Sequence, residues 1–280
     1  MCKLFFSFHY PHAKTLLKDF LNRGNSEHLQ YGYGLAWQHD NSWKTYKCNC
    51  FHMTDPNSKK LMADIKSNIV VGHIRNIYHE NMTPEQICDE IRMENTHPFQ
   101  YKDAIFMHHG DLFLNYNGDL KNYQLGHSDA PFKKAMKKVS SHILPEFLKQ
   151  IKGTTDSEIL FYLLLSIQKT LVENEKLNKK EAIIASFFVL SSILNSVGMS
   201  NSSNIVFSTS DYAFVAKIYQ NNSDMKLKNP DFFISEKNNA LLFSNFKLVE
   251  NTKKAKKNVL YVIPIINSET ETIDTIELKS

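Results

Sequence analysis

Cysteine, one-sided charge and long apolar runs are all scarce in this 280-residue chain. Four cysteines (Cys2, Cys48, Cys50 and Cys88) are too few for the disulfide framework of a small secreted domain. The Cys48-Asn49-Cys50 pair has no second pair beside it, as a zinc knuckle would need, so both are read as incidental thiols near a strand. A net charge of +4, with lysines spread rather than striped, gives no footprint for nucleic acid. The lysine clusters KKAMKK and NTKKAKK read as solvated surface. The longest apolar stretch, residues 183–194, is about half a membrane span and carries three serines, so no membrane partner is expected. No basic region followed by an apolar one opens the chain, so no signal peptide is visible. A reducing, cytoplasmic setting is therefore expected, with Cys2 a free thiol. Nine glycines and eight prolines form no linker and no repeat, so a single domain over residues 1–280 is expected.

What is present is a patterned apolar content of 42%, ample for a core. Period-2 runs predict strands at residues 4–8, 31–38, 69–77, 104–116 and 204–219, then in NALLFSNFKLV, VLYVIPII and TETIDTIEL. Helical spacing predicts helices over AKTLLKDFLNRG, TPEQICDEIR, residues 134–151, TDSEILFYLLLSIQKTL and KKEAIIASFFVLSSILNSVG. Gly24 and Gly198 are expected to close the first and last of these. Two layers of mainly antiparallel strands with long apolar helices make an α+β layered architecture.

Cys2 raises the chemical question. Removal of Met1 would leave a cysteine bearing both a thiol and an α-amine, whose pKa of about 7.7–8 leaves a usable base near neutrality. A nucleophile and a base then sit on one residue. Downstream, in order, come Gly32-Tyr33-Gly34-Leu35-Ala36-Trp37, His73-Ile74-Arg75, Glu94-Asn95-Thr96-His97-Pro98-Phe99, His108 with Gly110, and Thr155-Asp156-Ser157-Glu158. Together with Met1-Cys2 these strings resemble the class-II glutamine amidotransferase family, whose members are N-terminal-nucleophile hydrolases. The resemblance is narrower to the stand-alone γ-glutamyl amidase branch, and the later strands extend it over most of the chain.

That resemblance implies a four-layer αββα sandwich, two packed and mainly antiparallel sheets between helices. It implies that Cys2 attacks the γ-amide of glutamine or a γ-glutamyl compound, giving a thioester that water releases as glutamate. Arginine's planar fork suits the substrate α-carboxylate, which makes Arg75 its candidate partner. Asp156 is implied to take the α-ammonium, while Thr155 and Glu158 cap the helix that follows. His97 is a candidate for the glutamyl pocket wall. Gly32 and Gly34 are expected to make room for the N-terminus or the substrate. The substrate is a small molecule, no cofactor is implied, and a separate partner chain is expected as in some relatives.

Two departures from the family pattern stand out. His109 occupies the place of the asparagine whose amide, with the Gly110 N–H, forms the oxyanion hole. An imidazole N–H of the right tautomer could replace it; loss of one such donor typically lowers the rate about 100- to 1000-fold. A rate that follows His109 protonation, or a catalytically impaired relative serving as a binding or regulatory module, is the alternative expectation. Second, residues 80–93 form an insertion before ENTHPF, suited to a lid or a partner-binding element. Adjacent His108 and His109 point to opposite faces of a strand, so no metal site is expected.

Overall fold

A computed structural model describes residues 2–26, 31–77, 82–116, 119–122, 130–223, 226–265 and 272–278. Alternation within KLFFSF builds the first strand, β1 (Lys3–Phe8): Leu4, Phe6 and Phe8 enter one apolar cluster while Phe5 enters another on the opposite face. A helix α1 (Ala13–Ser26) follows, then β2 (Tyr33–His39), β3 (Ser42–Cys48), a short helix α2 (Ser58–Asp64) and β4 (Ile69–Ile74). After α3 (Pro84–Glu90) come β5 (Phe99–Tyr101), β6 (Ala104–Tyr116) and β7 (Asp119–Asn122). The helical stretch comprises α4 (Ala130–Ser140), α5 (Pro145–Leu148), α6 (Asp156–Asn174) and α7 (Lys179–Ser196). The chain closes with β8 (Met199–Ser208), β9 (Tyr212–Gln220), β10 (Phe233–Lys237), β11 (Ala240–Ser244), β12 (Lys253–Lys254), β13 (Val259–Pro264) and β14 (Asp274–Glu277).

The strands form two sheets, ordered β12-β10-β11-β1-β4-β2-β3 and β14-β13-β9-β8-β6-β5, with β7 also paired to β6. Every described pairing is antiparallel. Three apolar clusters fill the gaps between layers. Leu16, Leu17 and Phe20 of α1 pack with Phe5, Leu35 and Val70 on the outside of the first sheet. Leu4, Phe6 and Val71 meet Ile105, Met107, Val206 and Val215 between the sheets. Phe106, Ile205 and Phe214 pack with Phe161, Leu164, Phe187 and Leu190 of α6 and α7 outside the second. Helix, sheet, sheet, helix is the expected four-layer αββα sandwich, with central strands such as β4 and β8 buried on both faces.

Several expectations are corrected. The helix predicted over residues 134–151 is interrupted between α4 and α5. Pro145 lacks an N–H and pushes Leu144 into an extended conformation (ψ 143°), so a new helix starts at the proline. The strand predicted over residues 204–219 is a hairpin, β8 and β9, whose turn is held by the Thr209 N–H on the Tyr212 carbonyl at 2.8 Å. Gly24 lies inside α1 rather than at its end, where an added Cβ would fall 2.3 Å from Ile74 Cδ1. There the helix lies directly against β4. Gly198, by contrast, follows α7 in the left-handed region (φ 73°), as expected. Cys48 and Cys50, read as free thiols, are joined in a disulfide: β3 ends at Cys48 and the turn brings the two Cα atoms to 5.2 Å. No described helix is long and apolar enough to cross a membrane.

Candidate active site

The register between β1 and β4, Lys3↔Ile74, carries Cys2 to the point where β4 leaves the sheet at Arg75 and Asn76. The Asn76 N–H donates to Cys2 Sγ at 3.3 Å, and the thiol lies 3.5 Å from the Asn76 carbonyl oxygen. Burial pushes the Cys2 thiol above its ordinary value, against the opposing pull of the Asn76 N–H and Arg75. Resting as a thiol, it needs a base at hand to react.

Cys2 opens into a cleft of about 520 Å³, counting its open mouth. Five of the six expected site residues line it: Cys2, Arg75, His97, Gly110 and Asp156. The sixth, His109, is not among the lining residues. His109 and Asp111 share the face of β6 that looks toward the first sheet, as do Ile105 and Met107. Asp111 reaches the cleft, whereas His109 stays buried with its Nδ1 3.4 Å from the Asn204 amide nitrogen and its Nε2 without a partner. Burial, then His73 and Lys3, holds its imidazole well below the usual histidine range and therefore neutral.

Gly110 is required by space. Its φ is +155°, and a Cβ there would sit 2.2 Å from the Ser202 carbonyl oxygen on the paired strand β8. Gly34 is equally constrained, but by the carbonyl of His97, 1.8 Å from where a Cβ would lie. Gly32 faces the Cys48 carbonyl. The room these glycines leave is thus taken by the ENTHPF segment and the disulfide turn, not by the N-terminus.

His97 lines the cleft with its ring 4.0 Å from that of His73 and 4.7 Å from Phe99, measured between centroids. Neither of its ring nitrogens has a partner. Burial, with His73 next to it, keeps it neutral, so it offers one donor and one acceptor to whatever fills the cleft. His108, on the α6-facing side of β6, is fixed by the hydroxyls of Ser157 at 2.8 Å and Ser203 at 2.7 Å; its carbonyl oxygen meets His73 Nε2 at 3.0 Å. Burial holds it down to about 3.

Asp156 opens α6. Thr155 accepts the Glu158 N–H at 3.2 Å, but the Glu158 carboxylate turns back to the N–H groups of Lys152 and Gly153, so only half of the expected capping box forms. The Asp156 carboxylate accepts from the Leu112 N–H at 3.3 Å. Burial, then the charge of Asp111, raises it to about 7. Asp111 itself is raised to about 6, again chiefly by burial. Two buried carboxylates thus stand together in the cleft, and a nearby cation would favour the charged form of both. Asp111 was not among the site residues named from the sequence. The signal was a lone acid in the otherwise apolar alternation that follows Gly110.

Arg75 is not a free fork. Its Nη2 donates to Glu90 Oε2 at 2.7 Å and its Nη1 to the Glu90 carbonyl at 2.6 Å, with both residues buried. Glu90 is the last residue of α3, inside the insertion, and no sequence pattern linked it to Arg75.

The family model described as class-II glutamine amidotransferases matches residues 1–230. The chain belongs to this family. A curated relative, the probable glutamine amidotransferase DUG3 of Saccharomyces cerevisiae, is 31% identical over 109 residues. That match spans 39% of this class-II glutamine amidotransferase and 23% of the yeast protein. Among solved structures, a glutamine aminotransferase class-II domain protein from Silicibacter pomeroyi aligns over the whole of both chains at a TM-score of 0.59 and 16% identity. Glutamine phosphoribosylpyrophosphate amidotransferase from B. subtilis aligns over 99% of this chain and 49% of its own, at a TM-score of 0.58 and 12% identity. These structural likenesses establish the fold alone.

Proposed function

We propose that this class-II glutamine amidotransferase hydrolyses the γ-amide of glutamine or of a γ-glutamyl compound. The observation that carries the reading is the convergence of Cys2, Gly110, His97, Asp156 and Arg75 on one cleft from five separate segments. Once Met1 is removed, the Cys2 α-amine takes the thiol proton, directly or through water. The thiolate attacks the γ-carbonyl carbon, and the Gly110 N–H stabilises the developing oxyanion. The protonated amine returns its proton to the leaving nitrogen as the γ-glutamyl thioester forms. Water, deprotonated by the same amine, then releases glutamate and restores the thiol. Asp156 with Asp111 receives the substrate α-ammonium, His97 contributes to the glutamyl pocket, and Arg75 faces the α-carboxylate.

Glutamate release from glutamine, glutathione and γ-glutamyl dipeptides tests this, with intact mass recorded for the native protein and Cys2→Ser. The expected outcome is release by the Met1-free native protein and at least a ~1000-fold loss in Cys2→Ser, the size of effect seen when a catalytic nucleophile is removed. Release that persists in Cys2→Ser would overturn the mechanism. A second reading, an impaired relative acting as a binding or regulatory module, is favoured by the position of His109 outside the cleft lining. It predicts no release by the processed protein, with or without His109→Asn.

A further inference from the structure

We infer that Glu90 is an internal competitor of the substrate carboxylate for Arg75, and so sets which substrates the cleft accepts. The inference rests on the γ-glutamyl reading above. Among the described lining residues, Arg75 is the sole arginine or lysine, so it is the one group there that can pair with an incoming carboxylate as a permanent cation. Both of its terminal nitrogens are engaged by Glu90, one by the side chain and one by the main chain. The second carboxylate oxygen of Glu90 accepts from the Thr154 hydroxyl at 3.2 Å. The acid is therefore fixed on the guanidinium at the edge of the cleft, with almost no exposure to solvent.

A substrate α-carboxylate must share or displace this partner. Sharing would put two anions on one guanidinium in a cleft that already holds Asp111 and Asp156, and buried like charges repel strongly. Displacement is the cheaper route because of how α3 is attached. Among the described residues, none of α3 belongs to any of the three apolar clusters. The helix is held instead by polar contacts: its own capping box at Thr83 and Gln86, the Arg75 pair, the Asn95 amide 3.4 Å from the Glu90 carbonyl, and the Asn49 amide on the Ile91 carbonyl at 3.3 Å. An element without an apolar anchor can shift at low free-energy cost. Substrates whose carboxylate pays the displacement are bound weakly for their contacts. Substrates with that carboxylate neutralised meet no competitor and gain nothing from its removal.

The test compares native protein and Glu90→Gln, which keeps size and hydrogen bonding but removes the charge. The substrates are glutamine and L-glutaminamide, whose α-carboxylate is replaced by a neutral amide. For glutamine, KM is expected to fall ~10-fold or more in Glu90→Gln while kcat moves far less, the range expected when a buried like charge is lifted from a binding site. For glutaminamide, KM is expected to stay within ~2-fold, since no charge contest is relieved. A glutamine KM that is unchanged or raised, or one that falls equally for glutaminamide, overturns the inference and leaves Glu90 as a structural brace. The same pair is measured without turnover, by calorimetric titration of L-glutamate and L-glutaminamide into Cys2→Ser with and without Glu90→Gln. Tighter glutamate binding in the Gln variant without hydrolysis by any protein upholds the competition and rejects the hydrolase reading. Hydrolysis with equal glutamate affinity does the reverse. If Glu90→Gln does not fold, Thr154→Val, which removes the hydroxyl that donates to Glu90 Oε1, is expected to shift glutamate affinity in the same direction by a smaller factor, and no shift overturns the inference.

Discussion

The middle of the sandwich and the cleft are built from the same strands and could hardly differ more. Where β1 and β6 face each other, Leu4, Phe6, Ile105 and Met107 are fully buried and purely apolar. A few residues along β6, the same strand carries His108, His109, Gly110 and Asp111, and beside it stand Asp156, Arg75 and Glu90, most of them nearly as inaccessible. Burial of apolar atoms stabilises the first region at roughly 25 cal/mol per Å² removed from water. In the second, burial works against the charged groups: it lifts Asp111 to about 6 and Asp156 to about 7, depresses the histidines and raises the Cys2 thiol. Strong layers on both sides let the fold tolerate an end that is electrostatically unfavourable.

The sharpest way to break this contrast is in the middle layer. Phe6 is fully buried against Phe243, so Phe6→Ala should lower unfolding free energy by about 3–5 kcal/mol in urea titrations. A loss under 1 kcal/mol would mean that layer is not where the stability resides.

A pH series addresses the other side. The folded pKa values of Asp111 and Asp156 lie above the unfolded value of about 3.9. Between that value and about 7 the native state therefore binds more protons than the unfolded one, and stability falls as pH rises. The double variant Asp111→Asn, Asp156→Asn should flatten the stability profile over that window and be more stable than the native protein at pH 8. An unchanged slope would show that the two carboxylates are not held in water-poor surroundings. Restoration of the slope's lost stability by a bound cationic amine would sharpen the comparison further.

The smallest effect is expected at the disulfide. Cys48 and Cys50 are two residues apart, and closing so short a loop constrains the unfolded chain by about 1.5 kcal/mol at most. Cys50→Ser should shift thermal unfolding by only a few degrees. A larger fall would mean that the turn also supports Gly32, whose carbonyl holds the Arg75 N–H at 2.8 Å.

Much of this architecture was legible along the chain. The 13-residue run of β6 has the bounds its alternation predicts, and α6 and α7 follow their apolar spacing. Local rules failed where a distant neighbour decided: Gly24 reads as a helix stop until Ile74 is placed against it, and the 134–151 periodicity conceals the break that Pro145 enforces. In the site, Cys2, Arg75, His97, Gly110 and Asp156 could be named because the family resemblance rests on short motifs, each local to one segment. Asp111 and Glu90 could not, since their roles depend on which groups face them across the cleft.

The sequence by itself carried the family resemblance, through short motifs in order, and the alternation of strands that buries two sheets against each other, because these depend on residue identity and short-range period. Only the tertiary structure decided that Asp111 lines the cleft while His109, on the same face of β6, stays buried behind the lining, that the glycines of GYGLAW make room for His97 and the Cys48 turn, and that Arg75 already holds a carboxylate. Charge, burial and hydrogen bonding at a site act through space, and residues 15 or more apart in the chain, as Arg75 and Glu90 are, meet only once the layers are packed.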